Sequence, residues 1–283
     1  MSDLLHAAVK AGNKETVEKL ISFGEDVNFV SNHKSPLMHC LDTDIANILL
    51  LNGADVELKS GDRNLSALLN LFLNDDTDKE CNNQKIKTTD EMFEVTLELT
   101  KLYLNHGANI NDKDSEGKTA LMLASSLKDH AKVVTYLLES DADYTPMDCY
   151  GRNAFYYAVN LGLTNTVAVF LKCPIDVNVP CSSTGLTAFH LAAKNNDTDM
   201  LCLLASYKAD LEVEDTHGDI ALMNALKSSG KVKDSILFLL DAGLNINHQN
   251  KDGKTAIMTA AEMSMTGVVT LLRKELIWAS EIM

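Results

Sequence analysis

The sequence predicts an all-α solenoid of about eight helix-turn-helix repeats joined by extended β-turn fingers. Two observations lead to this prediction. Five similar blocks recur, and their glycines are spaced by 34, 34, 33 and 35 residues. A period near 33 residues is typical of one supersecondary unit that is stacked many times. The blocks are EGKTALMLAS (116–125), YGRNAFYYAV (150–159), TGLTAFHLAA (184–193), HGDIALMNAL (217–226) and DGKTAIMTAA (252–261).

The repeat that begins at Asp114 shows how each element follows from its residues. Residues 114–117 predict a turn in which the glycine supplies a positive φ angle. Thr119 is a suitable N-cap for a first helix over 120–127. A second helix over 130–140 carries apolar side chains at helical spacing on one face. Finger, helix, turn and helix therefore make up one repeat.

The same plan extends over residues 1–283 as a single array. The first repeat lacks a leading finger, and the second is several residues short, which predicts a truncated first helix. In the seventh repeat Ile220 replaces the capping threonine, which weakens the helix start by about 1 kcal/mol. The predicted repeats lie near 1–30, 31–60, 61–113, 114–147, 148–181, 182–214, 215–249 and 250–283.

The third repeat is 19 residues longer than the usual 34. The excess lies near 74–90, a polar stretch without periodicity, between the two helices of the repeat. A solvent-exposed loop is the simpler interpretation. A docking or modification loop is the functional alternative, since long loops often carry function.

Charge and composition exclude several classes of function. The net charge of −15 argues against nucleic-acid binding, which requires clustered Lys and Arg. It weakly favours a basic protein partner, although solubility alone explains it. The chain has no long apolar run and no secretion signal, so we expect no membrane insertion. We expect a cytoplasmic protein, with the nucleus as an alternative.

The cysteines and histidines form no local pattern that predicts chemistry. The six cysteines include no CxxC pair, which indicates reduced thiols. A metal site needs clustered His and Cys ligands, and nucleophilic catalysis needs an oriented base beside the nucleophile. The sequence contains neither a P-loop nor a G-x-S-x-G motif. We therefore predict no enzyme activity, no metal and no cofactor.

The repeated blocks resemble the ankyrin repeat family over essentially the whole chain. The family signature T-P-L-H-x-A appears, for example, as SPLMHC (35–40), TALMLA (119–124) and TAFHLA (187–192). The finger motif G-A-D-V-N appears as GEDVN (24–28) and GANIN (107–111). The resemblance implies an ankyrin-repeat solenoid. It also implies structural hydrogen bonds for His6 and His190, and a core position for the methionines at 38, 122, 223 and 258.

The resemblance also implies where a partner binds. Stacked ankyrin repeats present a concave face made of fingers and first helices, with variable residues near each finger glycine. Tyr150, Arg152, Leu161 and Leu186 occupy such positions, and they predict a binding hot spot. Scattered apolar surface residues are the simpler interpretation. Further predicted contacts are Glu116, Lys118, Lys194, His217 and Asp219. The wider set of variable positions adds the uncharged residues Ser115, Leu127, Cys149, Asn160, Thr184, Asn195 and Met263 and the charged residues Lys227, Lys251, Asp252, Lys254 and Glu262.

Two further features have both a functional and a structural interpretation. An acidic finger, made of Asp210, Glu212, Glu214 and Asp215, contains no basic residue and could steer a basic segment of a partner. A solvated edge explains it equally well. Asn28 resembles finger asparagines that are hydroxylated in eukaryotic ankyrin repeats, or it holds the finger by side-chain hydrogen bonds.

The function that these observations predict is a non-catalytic protein–protein interaction module. It would bind a protein or peptide on the concave face of fingers and first helices, and we expect a monomer. The alternative is a regulator or recruiter of an enzyme. That alternative includes an inhibitor, a ubiquitin-ligase adaptor and a pathogen effector that targets a host protein.

Overall fold

A computed structural model describes residues 3–73, 89–128, 130–228 and 233–282, without the side chains of residues 89, 90, 233 and 275–282. The chain divides into two compact units, Met1–Cys149 and Tyr150–Met283. Regular secondary structure within the described ranges is entirely helical, as predicted, and the helices follow one another in pairs. That the two units form one continuous array stays a prediction.

The first unit contains the helices of the first four predicted repeats. Its second repeat begins with a short 3-10 helix of three residues, Leu37–His39, which confirms the predicted truncation. The α-helices of this unit are α1 (Asp3–Lys10), α2 (Lys14–Ser22), α3 (Thr43–Leu51), α4 (Ala67–Asn70), α5 (Thr89–Asn105), α6 (Ala120–Ser125) and α7 (Ala131–Glu139).

Side-chain donors of the third repeat satisfy two carbonyl groups of this 3-10 helix. A helix of three residues leaves most of its carbonyl oxygens without a helical partner. The hydroxyl of Tyr103 on α5, which is fully buried, donates to the carbonyl oxygen of Leu37 at 3.2 Å. The side-chain amide of Asn70 donates to the carbonyl oxygen of Met38 at 2.7 Å. The third repeat therefore supports the truncated second repeat.

Part of the additional length of the third repeat is helical. Helix α5 has 17 residues, whereas α2, α3 and α7 have 9 each. The predicted insert at 74–90 lies outside the described residues, apart from the backbone of the first turn of α5. The N-terminal part of α5 brings Phe93 into edge-on contact with His130, with ring centroids 4.8 Å apart. His130 directly precedes α7, so the extension of α5 packs against the next repeat.

The second unit stacks four helix pairs in the predicted order. Its first helices α8, α10, α12 and α14 pack side by side, and each packs on the second helix of its own repeat. Phe155 and Phe170, from the two helices of the fifth repeat, lie in the core with ring centroids 5.5 Å apart. The helices are α8 (Ala154–Asn160), α9 (Thr164–Phe170), α10 (Ala188–Asn195), α11 (Thr198–Ser206), α12 (Ala221–Leu226), α13 (Lys233–Asp241), α14 (Ala256–Glu262) and α15 (Thr266–Ile282).

Threonines begin several first helices, as the sequence predicts. The hydroxyl of Thr119 accepts a hydrogen bond from the backbone N–H of Met122 at 3.3 Å. Thr187 and His190 form a capping box, in which each side chain bonds the backbone N–H of the other. Ile220 is fully buried and provides no side-chain cap for α12, which confirms the predicted loss.

The fingers of neighbouring repeats approach closely at their glycines. Gly151 has a φ of 69°, and a Cβ atom there would lie 2.4 Å from the Cβ of Ser183 in the next finger. Glycine is therefore required both for the backbone conformation and for the approach. The backbone N–H of Ser183 donates to the carbonyl oxygen of Gly151 at 2.8 Å, which ties the two fingers together.

Three of the four recurrent methionines are core residues. Met38, Met122 and Met223 are buried, as predicted. Met258 is 51% exposed, so the prediction is wrong at this position. At the same repeat position, His190 bonds to the following repeat. Met258 belongs to α14, the first helix of the eighth repeat.

The capping box at α10 leads to a stability prediction. Thr187→Ala is expected to lower the free energy of unfolding by about 1–2 kcal/mol, because it removes both the cap and the partner of His190. Thr255→Ala is the matched control, since the hydroxyl of Thr255 is buried without a hydrogen bond. Urea unfolding followed by circular dichroism measures both. Equal losses in the two variants would contradict the capping role.

Candidate functional site

The predicted partner contacts are divided between the two units. Glu116 and Lys118 lie in the first unit, where their side chains form an ion pair of 2.7 Å. The hydrogen bond from Lys118 lowers the pKa of the Glu116 carboxyl. Both side chains are partly exposed, and their charges largely compensate each other. The remaining predicted contacts lie in the second unit.

Tyr150 and Arg152 form the centre of an aromatic cluster on the second unit. Tyr150 is 57% exposed, and the guanidinium of Arg152 lies 4.3 Å from the centroid of its ring. The same guanidinium lies 5.3 Å from the ring of Tyr157 and 5.8 Å from the ring of Tyr156. A guanidinium within about 6 Å of an aromatic ring is attracted to its face. We call these four residues the tyrosine cluster.

Two members of the tyrosine cluster were not predicted from the sequence. Tyr156 and Tyr157 belong to α8 and lie within the repeated block at 150–159. Both are partly exposed. The signal that could have identified them is the pair of adjacent aromatic residues, since no other first helix of the second unit carries one.

Leu161 and Lys194 lie at the ends of neighbouring first helices. Leu161 is the C-cap of α8 and is 51% exposed. Lys194 is exposed in the last turn of α10. The side-chain amide of Asn195 donates to the carbonyl oxygen of Asn160 at 3.0 Å, so these two helix ends are adjacent. An apolar side chain and a cation are thereby exposed at neighbouring helix ends.

Leu186 is not the exposed anchor that the sequence predicted. Its side chain is only 8% exposed. The finger folds over it: its backbone N–H donates to the hydroxyl of Ser182, and its carbonyl oxygen accepts from the N–H of Cys181 at 2.9 Å. Burying a leucine side chain is favourable by about 1.5–3 kcal/mol, so the finger closes around this residue. Leu186 belongs to the core of the second unit.

Asp219 is also buried and joins three consecutive repeats. Its carboxylate accepts a hydrogen bond from Asn250 at 2.8 Å and forms an ion pair with Lys227. Its carbonyl oxygen lies 3.1 Å from Nε2 of His190. The predicted role of Asp219 as an exposed partner contact is therefore wrong, because its side chain is 0% exposed and holds the stack together.

Asp215, the last residue of the predicted acidic finger, closes a turn. One carboxylate oxygen accepts from the backbone N–H groups of His217 and Asp219, at 2.8 and 3.0 Å. The other accepts from the side chain of Asn224 at 3.2 Å. Burial raises the pKa of Asp215, but these hydrogen bonds have the larger combined effect. The pKa of Asp215 is therefore lowered. Asp215 is buried, so it contributes no exposed charge to the finger.

The other acidic-finger residues are exposed, and one of them has a structural role. Glu212 accepts a hydrogen bond from the backbone N–H of Asn245 in the next finger at 2.6 Å. Asn178, one repeat earlier, accepts from the N–H of Asp210 in the same way at 2.7 Å. The exposed acids of this finger are Asp210, Glu212 and Glu214.

Asn28 uses both ends of its amide to hold the second finger. Its oxygen accepts from the backbone N–H of Asp55 at 2.7 Å, and its nitrogen donates to the carbonyl oxygen of Gly53 at 2.9 Å. This geometry matches the structural interpretation of Asn28. Hydroxylation of Asn28 stays a prediction.

One group of side chains has the composition of a metal site, but its carboxylates already form hydrogen bonds and an ion pair. Possible ligand atoms of Asp215, His217 and Asp219 lie within 4.8 Å of one another. Both carboxylates already accept hydrogen bonds, from Asn224 and from Asn250, and Asp219 also pairs with Lys227. A cation would have to displace these donors. The side chain of His217 is 70% exposed and remains a candidate partner contact.

The buried thiols are poorly suited to nucleophilic catalysis. Burial raises the pKa of Cys40 and of Cys181 to about 12. Both thiols are therefore protonated at neutral pH, whereas the thiolate is the nucleophile. Of the helices in the described part of the chain, none has the length and apolar content that crossing a bilayer requires.

A family model described as ankyrin repeats (3 copies) matches residues 2–60, 92–181, 162–250 and 189–277. The chain belongs to the ankyrin repeat family. Ankyrin repeats are protein-interaction modules and are generally not catalytic. The interval between the first two matches contains the first part of the long third repeat with its predicted insert at 74–90, where the chain departs from the family pattern.

The relatives differ in the functions that their names indicate. Mouse ankyrin repeat and SOCS box protein 6 is 32% identical over 50% of this chain and 34% of that protein. The human transient receptor potential cation channel subfamily A member 1 is 24% identical over 96% of this chain and 27% of the channel. Phosphocholine transferase AnkX of Legionella pneumophila is 23% identical over 58% of this chain and 20% of the enzyme. The chain thus spans about a third or less of these relatives.

The buried histidine of the ankyrin signature leads to a pH prediction. His190 is 1% exposed, and burial lowers its pKa below the ordinary value of 6.5. The unfolded chain therefore binds the proton first, so stability is complete above about pH 6.5 and falls as the pH decreases through it. Urea unfolding midpoints between about pH 7.5 and pH 5.5 should show this fall.

Replacing the histidine should remove that component of the pH dependence. His190→Gln is expected to flatten the change in midpoint over this range, whatever its effect on the absolute stability. His106→Gln is the matched control, because His106 is exposed on the first unit. An unchanged slope in His190→Gln would show that other groups cause the fall.

Proposed function

We propose that the chain is a non-catalytic protein-interaction module that binds a protein or peptide on the finger and first-helix surface of the second unit. The observation that carries this proposal is the exposure of Tyr150 and Leu161 on either side of α8, at 57% and 51%. Tyr and Arg are over-represented among residues that dominate binding energy. The tyrosine cluster supplies both in one place.

Stacking within the cluster favours tight binding. The guanidinium of Arg152 lies against the ring of Tyr150, so both long side chains are partly ordered before a partner arrives. Ordering a flexible side chain on binding costs about 0.5–1.5 kcal/mol, and a preformed stack avoids part of this cost. Leu161 adds an apolar contact at the end of a rigid helix.

The support for a basic partner is weaker than the sequence suggested. Asp215 of the acidic finger and the nearby Asp219 are buried, and their carboxylates accept hydrogen bonds within the second unit. The exposed acids Asp210, Glu212 and Glu214 are the remaining support. A basic partner is therefore not part of this proposal.

A double substitution tests the surface. Tyr150→Ala with Leu161→Glu is expected to weaken binding of the natural partner at least about tenfold, since both exposed anchors are lost. The control is Tyr207→Ala with Leu51→Glu, which changes exposed residues, 44% and 72%, at the ends of second helices and outside the fingers and first helices. Affinity purification from the native cell, with equal amounts of each protein, measures retention. A partner retained equally by both double variants would contradict the proposal.

A second candidate function is that the bound protein is an enzyme, which the repeats inhibit or recruit. It includes the roles of ubiquitin-ligase adaptor and of pathogen effector acting on a host protein. Its support is the similarity to a SOCS box protein and to a bacterial transferase. Mass spectrometry of the purified complex should then recover one stoichiometric enzyme. Recovery of a non-enzymatic partner alone would count against this candidate.

A further inference from the structure

We propose that the finger and first-helix surface of the second unit selects an acidic peptide segment, one in which Asp or Glu lies beside an apolar residue; this rests on the proposed function. Outside the acidic finger, the predicted contact positions of this unit carry five cations and three carboxylates, whereas the chain as a whole has a net charge of −15. Their cations are Arg152, Lys194, Lys227, Lys251 and Lys254, and their carboxylates are Asp219, Asp252 and Glu262.

Two of these carboxylates are neutralised within their own repeats. In the seventh repeat, buried Asp219 follows the finger glycine and pairs with Lys227 at the end of α12. In the eighth, Lys254 pairs with Glu262 at the end of α14 at 2.8 Å. The residue after the finger glycine and the residue at the end of the first helix are thus neighbours in both repeats. Opposite charges at these two positions cancel.

The sixth repeat has no such compensation. The position after its finger glycine holds Leu186, which is apolar and buried. Lys194 occupies the position at the end of the first helix and is exposed. No carboxylate among the described side chains forms an ion pair with Lys194. The sixth repeat therefore presents a cation without a counter-ion of its own.

The surroundings of Lys194 define what the segment carries besides its charge. The hydrogen bond from Asn195 to Asn160 places the end of α10 beside the end of α8, where Leu161 is exposed. A segment whose carboxylate meets Lys194 therefore lies close to the helix end at which Leu161 is exposed. Charge complementarity of this kind acts on partner choice and on association rate.

Peptide selection on the full chain tests this inference. The probe is a random displayed peptide library with equal acidic and basic content. Enriched sequences should contain Asp or Glu next to an apolar residue. For the synthetic form of an enriched peptide, Lys194→Glu is expected to raise Kd about tenfold or more. Added salt should also weaken binding, since the attraction is electrostatic.

The matched control is Lys172→Glu, which reverses an exposed lysine in the turn after α9 and should leave Kd unchanged. Lys194→Gln is the milder variant and should give a smaller loss than Lys194→Glu. Circular dichroism and urea midpoints of all variants establish that they fold. Enrichment of basic or neutral peptides, or an acidic peptide whose Kd Lys194→Glu leaves unchanged, would overturn the inference.

Its failure is distinguishable from failure of the proposed function. Neutral or basic peptides that depend on Tyr150 and Leu161 but not on Lys194 would retain the binding surface and overturn only its preference for acidic segments. Peptides that depend on none of the three residues, or a library without any enrichment, would overturn both.

Discussion

Neighbouring fingers are held together by a side-chain oxygen that accepts a backbone N–H of the next finger. Asn28 does this in the first unit and Asn178 in the second, at 2.7 Å in both cases. Glu57 and Glu212 occupy the same repeat position and accept from the next finger at 2.8 and 2.6 Å. The position requires a side-chain oxygen within hydrogen-bonding distance of the next finger, and either an amide or a carboxylate supplies it. The spacing of the fingers, and hence the packing of the first helices within each unit, depends on this bond.

Because the fingers and first helices are fixed in this way, polar side chains between repeats must find partners inside the stack. Asp219 is the clearest case, since Asn250 and Lys227 satisfy its carboxylate and His190 contacts its carbonyl oxygen. Asp215 is satisfied within its own repeat. These acids contribute to the net charge without acidifying the surface that a partner would touch.

The period of the sequence was sufficient to predict the helix pairs, the cap at Thr119, the missing cap at Ile220 and the truncated second repeat, because each depends on local chemistry. The exposure of individual contact positions was not predictable in the same way. Leu186 and Asp219 occupy the repeat position of Arg152, which is only partly buried. Whether a side chain there is covered depends on its own chemistry and on its neighbours. The finger of Leu186 folds over that leucine, whereas Asn250 of the next repeat and Lys227 of the same repeat pair with Asp219. The hot spot predicted from the sequence lacked Tyr157 for the same reason, since the fold brings the ring of Tyr157 close to Arg152.

Net charge and surface charge therefore need separate arguments in a repeat protein. The net charge of −15, taken alone, favours a basic partner. The stack buries some of the carboxylates at the contact positions and pairs another with a lysine of its own repeat, as in Lys254 and Glu262. A cation such as Lys194 becomes significant because the position that pairs with the end of the first helix in the seventh and eighth repeats holds a buried leucine in the sixth. The departure from the repeat pattern, rather than the pattern itself, determines the local electrostatics that a partner would meet.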